Sequence, residues 1–331
     1  MYAQHYGFSG MPFQLTPDHR FFFGSSVHNR AIAHLIYGLA QEEGFIIVTG
    51  EVGAGKTTLV EQLWSQLDRN TYTIARIVTT QVGSDDLLRL TLAGFGIDEQ
   101  GDKATLLRRL ERMLKEERAI GRRCLLVVDE VQSLSTPALE ELRMLSNLTE
   151  GGRASLQTIL LGQPQFRRTL ASPDLDQLRQ RVLASFHLGP LAAEEVRAYI
   201  EHRLRAVGWV DRPIFSDAAY AAVHRHSGGI PRRINRLCSR VLLLGALEEV
   251  DEITAEMVET TAVELSADLG GDPDPMLRPL AATGGAATPN GHGVPSDLAD
   301  RVAALEEVFA KRERTLRRLL DTVSGFLETR A

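Results

Sequence analysis

The stretch Gly50-Glu51-Val52-Gly53-Ala54-Gly55-Lys56-Thr57 is where residue type and spacing most directly specify chemistry. It fits GxxxxGK[ST]. The glycines let the backbone turn tightly, so that successive N–H groups point at one phosphate. Lys56 can then reach the β- and γ-phosphates of a bound ATP, and the Thr57 hydroxyl can ligate Mg²⁺. Gly50, Gly53, Ala54, Gly55, Lys56, Thr57 and Thr58 are the candidate nucleotide-binding residues. The context fits the motif: an apolar run, Phe45–Thr49, precedes it and a helical stretch, Thr57–Leu67, follows.

A second apolar run, Cys124–Val128, ends in Asp129-Glu130. Two carboxylates at a strand end, downstream of such a loop, divide the labour of hydrolysis. Asp129 would hold Mg²⁺ through water, as the second metal-binding candidate beside Thr57, and Glu130 would orient and activate the attacking water. A further run, Leu156–Leu161, ends at Gly162-Gln163, which makes Gln163 a candidate contact to the γ-phosphate or that water. Arg179 and Arg181 precede the next strand. Either could reach a phosphate on a neighbouring subunit, and Arg181 is the preferred choice. Pro231 and Arg232 open a helix, so that Arg232 stands at a fixed place suited to contact the ATP phosphates. Arg233, Arg236 and Arg240 continue a basic series.

These residues need a scaffold. From Phe45 to Leu188 five short apolar runs alternate with helical stretches: Phe45–Thr49, Thr73–Val78, Cys124–Val128, Leu156–Leu161 and Ala184–Leu188. Continuous rather than alternating hydrophobicity suits strands covered on both faces, and intervening helices make the sheet largely parallel. The reading is an α/β fold. After Gly189-Pro190 the chain reads as helices only: Ala192–Val207, Ser216–His226, Ile230–Leu247 and Thr254–Leu265. Ser216 and Thr254 are good N-caps, and Gly208 and Gly228 good stops. From Ser266 to Pro295, Gly, Pro, Ala and Asp dominate, the composition of a flexible linker. A last helix follows Ser296-Asp297. Its apolar positions from Leu298 to Phe326, at spacings of four and three, form a coiled-coil-like seam that Arg312 interrupts. Pairing, folding back and membrane contact are all open to it.

The whole chain sets outer limits. Its 331 residues are 44% hydrophobic and 24% charged, ordinary for a globular protein, with a net charge of −6 that draws it to neither nucleic acid nor anionic lipid. No apolar run approaches the ~20 residues of a membrane helix. No signal peptide is read at the start, so the expected compartment is the cytoplasm. Cys124 and Cys238 sit in apolar settings and read as reduced core residues.

With these motifs in hand, the chain resembles the ExeA/GspA group of AAA+ ATPases of general secretion. It looks most similar to the branch associated with exosortase A, PEP-CTERM proteins and exopolysaccharide loci. The shared text runs from YGFSGMPFQLTPDHRFFFGS through TGEVGAGKTTL, VDEVQSL, LLGQPQFR and QLRQRV to GGIPRRINRLC. The resemblance implies a P-loop sheet with a helical lid. It also implies that Phe21–Arg30 lie near the adenine, that Glu130 activates water and that Arg232 is a second sensor. The expected domains are 1–44 as an adenine-proximal segment of the ATPase core, 45–190 as the nucleotide-binding domain and 191–265 as the lid. A linker, 266–296, and an amphipathic helix, 297–331, complete the chain. Expected partners are further copies of the chain and a protein of an envelope export or polysaccharide system, with peripheral recruitment to the membrane through that partner. Larger members of the group continue into a membrane helix and a peptidoglycan-binding domain. Neither is read here, so a cell-wall role for the chain alone is not expected. Two other readings stay open: a DNA-linked ATPase, and a nucleotide-state switch with little turnover.

Overall fold

A computed structural model describes residues 2–16, 18–68, 70–78, 83–150 and 153–268. Most of the expected linker and the whole of the expected last helix lie outside them. In chain order the first elements are α1 (Tyr2–His5), α2 (Ser26–Ala40), β1 (Phe45–Gly50), α3 (Lys56–Gln66), β2 (Tyr72–Val78), α4 (Ser84–Gly94) and α5 (Lys103–Ala119). There follow β3 (Arg123–Asp129), α6 (Thr136–Leu145), the short strands β4 (Thr149–Glu150) and β5 (Arg153–Ala154), β6 (Leu156–Gly162), α7 (Gln165–Leu170), α8 (Asp176–Arg179) and β7 (Val182–Leu188). The remainder is α9 (Ala193–Arg205), β8 (Ile214–Phe215), α10 (Asp217–Ser227), α11 (Pro231–Leu247), β9 (Glu252–Ile253) and α12 (Ala255–Asp268).

Five strands form one parallel sheet in the order β2-β3-β6-β1-β7. All five are those expected from the apolar runs. Residues alternate between the two faces, and each face is covered. Phe45 and Ile47 of β1 join one cluster with Leu88, Leu110 and Leu142, whereas Ile46 and Val48 join another with Leu35, Leu59 and Leu63. All of these are buried. Burying such a side chain contributes ~1.5–3 kcal/mol against leaving it in water. Because β6 lies between β3 and β1, the loops that follow these three strands emerge side by side at one edge of the sheet. Gly50, Glu130 and Gln163 are at that edge for this reason.

Helices α9 to α12 enclose a third cluster, built around Ile200, Val223, Ile234 and Val241. Ser216 caps α10 by accepting from the Ala219 amide, and Gly228 ends it in the left-handed region, φ 59°. Three expectations need correction. The helical part is not free of strands: Ile214–Phe215 and Glu252–Ile253 pair in parallel, segments too short to show any periodicity. The last described helix runs past Leu265 to Asp268, where Arg240 pairs with the Asp268 carboxylate at 3.2 Å. The N-terminal segment is also divided. Tyr2, Tyr6, Phe8, Phe13 and Phe21 pack into the helical cluster, while α2 packs on β7 and β1. Its aromatic side chains find their apolar partners among the lid helices, since both faces of the sheet are already covered. Both cysteines are buried and free.

Candidate functional site

The loop between β1 and α3 has a shape that only small residues allow. Gly53 has φ +84° and Gly55 φ +96°, a region costly for any residue with a Cβ. A Cβ at Gly55 would come within 2.9 Å of His28 Nε2, and one at Gly50 within 2.7 Å of the Leu188 carbonyl oxygen. Gly55 is the N-cap of α3, so the unpaired first-turn N–H groups and the positive end of the helix dipole face the loop. Lys56 is buried, and its Nζ donates to the Gly50 and Glu51 carbonyls at 2.8 and 3.1 Å. Burial lowers its pKa from the ordinary lysine value, although Glu130, Asp129 and Glu51 work in the opposite sense.

At the end of β3, Asp129 is 4% exposed and its Oδ2 accepts from Thr57 Oγ1 at 2.9 Å. A hydroxyl and a carboxylate, both hard oxygen donors side by side, are the kind of set that suits Mg²⁺. Glu130 adopts φ 55°, ψ 39°, left-handed for a non-glycine residue, which places strain at the turn after β3. Its amide donates to Asp129 Oδ1 at 3.0 Å. Its Oε2 accepts from Gln163 Nε2 at 3.1 Å and also from Gln132 Nε2. The Gln132 Oε1 in turn accepts from the Gln163 amide at 2.9 Å. Gln163 thus lies against the carboxylate of Glu130.

A cleft of ≈ 400 Å³ opens over the loop, lined by Gly53, Gly55, Lys56, Thr57, Thr58, Glu130 and Arg232 together with Phe21, Phe22, Phe23 and His28. Within Phe21–Arg30 the aromatic half and His28 face this cleft, and Arg30 is exposed elsewhere. Gly50, Ala54 and Asp129 are buried behind the lining. Arg232, in the first turn of α11, donates its amide to the Gly53 carbonyl at 3.2 Å and so joins the helical part to the loop. The two candidate arginines of the trans contact are elsewhere. Arg181 Nη1 donates to Ser146 Oγ at 3.1 Å, and its carbonyl accepts from the Phe45 amide at the start of β1, the end remote from Gly50. Arg179 is 47% exposed and paired with Asp176 at 2.5 Å. Neither lines the cleft of its own chain.

Further side chains support the site. Ser25 caps α2 and bonds His28 Nδ1 at 2.7 Å. Burial lowers the His28 pKa, opposed by a backbone hydrogen bond with Ala54 and by Glu195. Arg203, buried on α9, donates to the Pro12 and Gln14 carbonyls at 2.6 and 3.2 Å and lies 4.5 Å from the Phe21 ring centroid. Arg76 of β2 donates to Asp129. Arg203 and Arg76 act across long sequence separations that no local motif marks, whereas Ser25 and His28 are three residues apart within the segment expected near the adenine.

A five-stranded parallel sheet with this order, a glycine-rich loop after β1 and paired carboxylates after β3 make up an α/β fold of the P-loop NTPase (AAA+) type. Residues 39–170 match the family model described as AAA domain. The chain is 38% identical over 268 residues to general secretion pathway protein A of Aeromonas hydrophila. That match takes in 80% of this chain and 49% of the relative, so the chain spans about half that protein's length. Among solved structures, Cdc6p from Pyrobaculum aerophilum superposes with a TM-score of 0.61 at 14% identity, over 79% of this chain and 74% of that one. The Aeropyrum pernix ORC2 protein in its ADPNP–ADP complexes gives 0.57 at 16% identity, over 72% and 67%. At such identities the likeness is one of fold. Among the described residues no helix is long and apolar enough to cross a membrane.

Proposed function

We propose that this chain binds Mg-ATP and hydrolyses it. The observation that carries the reading is the juxtaposition, at one sheet edge, of the Thr57–Asp129 pair with Glu130, beneath a loop whose amides and Lys56 can cradle phosphates. Thr57 and Asp129 would hold Mg²⁺, which supplies charge neutralisation on the phosphate oxygens. The loop amides, the α3 N-terminus, Lys56 and Thr58 bind and orient the phosphates, and Arg232 binds them from the helical side. Glu130, held by Gln163 and Gln132, accepts the proton of the attacking water. The water oxygen bonds to the γ-phosphorus as the bond to the β-phosphate oxygen breaks, leaving ADP and inorganic phosphate.

The exposed Arg179 and the inward-bound Arg181 both lie away from their own cleft, as a contact delivered to another copy requires. That placement supports a homo-oligomer as the working form. The similarity to general secretion pathway protein A supports a place in the cytoplasm, at the inner face of the inner membrane through a protein partner. There the hydrolysis cycle serves an envelope secretion or exopolysaccharide export system, of the kind associated with PEP-CTERM proteins. Phosphate release by the wild type and Lys56→Ala, together with co-purification from the native host, tests both levels. Mg²⁺-dependent release abolished by Lys56→Ala, with recovery of secretion or polysaccharide components, is the expected result. Release that survives Lys56→Ala contradicts the site, and recovery of DNA-processing proteins alone contradicts the pathway.

A further inference from the structure

Arg76 points from β2 into the metal-binding pair. Its Nη2 donates to Asp129 Oδ2 at 3.0 Å, the oxygen to which Thr57 Oγ1 also donates, and its Nη1 donates to Glu61 Oε1 on α3 at 3.3 Å. Cradling phosphates does not require an arginine here. Nor does the orientation of Asp129 depend on it, because the Glu130 amide holds Oδ1 and the Thr57 hydroxyl holds Oδ2. What Arg76 adds is charge. A guanidinium this close opposes any further cation on the same oxygen. Glu61 gives that guanidinium a second carboxylate within reach, so it can yield Oδ2 without losing its ion pair.

We propose that Arg76 acts as a charge gate on the metal site. It offsets Asp129 against free divalent cations, so that a hard cation is held there only together with the negative charge of a nucleotide's phosphates. The inference rests on the Mg-ATP reading above. It predicts opposite effects from the two ends of one ion pair. Removing the arginine charge opens the site to bare cations. Removing the Glu61 charge leaves Arg76 to Asp129 alone and closes the site further.

Mn²⁺ binding to the full chain, followed by electron paramagnetic resonance with and without ADP, tests this. A charge a few ångströms from a carboxylate changes its cation affinity by ~10-fold or more. Without nucleotide, Arg76→Gln should bind Mn²⁺ about that much more tightly than wild type. Arg76→Lys should stay near wild type, and Glu61→Gln should bind more weakly. With ADP the wild type and Arg76→Gln should converge. If the wild type binds Mn²⁺ with ADP but the nucleotide-free affinity of Arg76→Gln is unchanged or lower, the gate is wrong and the metal reading stands. The same holds if Glu61→Gln binds bare Mn²⁺ as tightly as wild type, a result that needs no Arg76 variant to fold. A wild type that binds no Mn²⁺ even with ADP removes the metal reading and the gate together.

Discussion

A Cβ added at Gly53 would lie 2.3 Å from the Cβ of Arg232, while the Arg232 amide donates to the Gly53 carbonyl at 3.2 Å. The loop after β1 and the first turn of α11 are therefore in backbone contact, and the absence of a side chain at Gly53 permits it. Gly53→Ala should force them apart, in addition to straining a residue at φ +84° by ~1 kcal/mol or more. Nucleotide affinity should fall by at least ~10-fold, since the loop amides and Arg232 are displaced together. Fluorescent-nucleotide titration checks it, and wild-type affinity in a folded Gly53→Ala protein would refute the contact's importance.

Oligomer dependence discriminates the two arginines. If a finger acts in trans, specific activity rises with protein concentration, and removing it costs ~10³–10⁵ in rate with ATP binding intact. Arg179 is the more available to a neighbour, being exposed and paired with the exposed Asp176, whereas Arg181 is bound to Ser146. Arg179→Ala should therefore abolish the concentration dependence, and Arg181→Ala should do so only by disturbing assembly. Activity measured against protein concentration, alongside light scattering, separates them. A flat dependence in a demonstrated monomer would remove both.

His28 gives the fold a pH dependence of definite sign. Its folded pKa is lowered from the ordinary 6.5, chiefly by burial. As pH falls through that ordinary value the unfolded chain takes up a proton that the folded chain resists, so stability is lost on the acid side. The neutral ring also packs against Gly55, so the loss should reach the phosphate loop. Urea unfolding between about pH 7.5 and pH 5.5 should show the decline, and His28→Gln should flatten it. An equal slope in the variant would assign the decline to other groups.

Legibility in the sequence followed the range of the forces involved. The central strands β1, β3 and β6 were readable because each is a continuous apolar run, the outer strands β2 and β7 although polar residues interrupt them, and the loop because its glycines obey a local steric rule. Glu130 was readable from its place after such a run, but its hold by Gln163 was not, since that depends on β6 lying alongside β3. Arg76 looked like one more residue of an apolar strand, and only the pairing of β2 with β3 brings it to Asp129. The aromatic residues from Tyr2 to Phe21 carry no periodicity that says which cluster they will join. Their attachment to the lid helices is decided by which surface is still uncovered.

Single-turnover hydrolysis asks whether the Glu130 carboxylate takes the proton of the attacking water, the step on which the proposed hydrolysis turns. Glu130→Gln keeps the size of the side chain and its contacts with the neighbouring amides, but cannot accept that proton. The variant should bind ATP close to wild type and carry out the chemical step ~10²–10⁴-fold more slowly. Single-turnover hydrolysis by Glu130→Gln at the wild-type rate would contradict it.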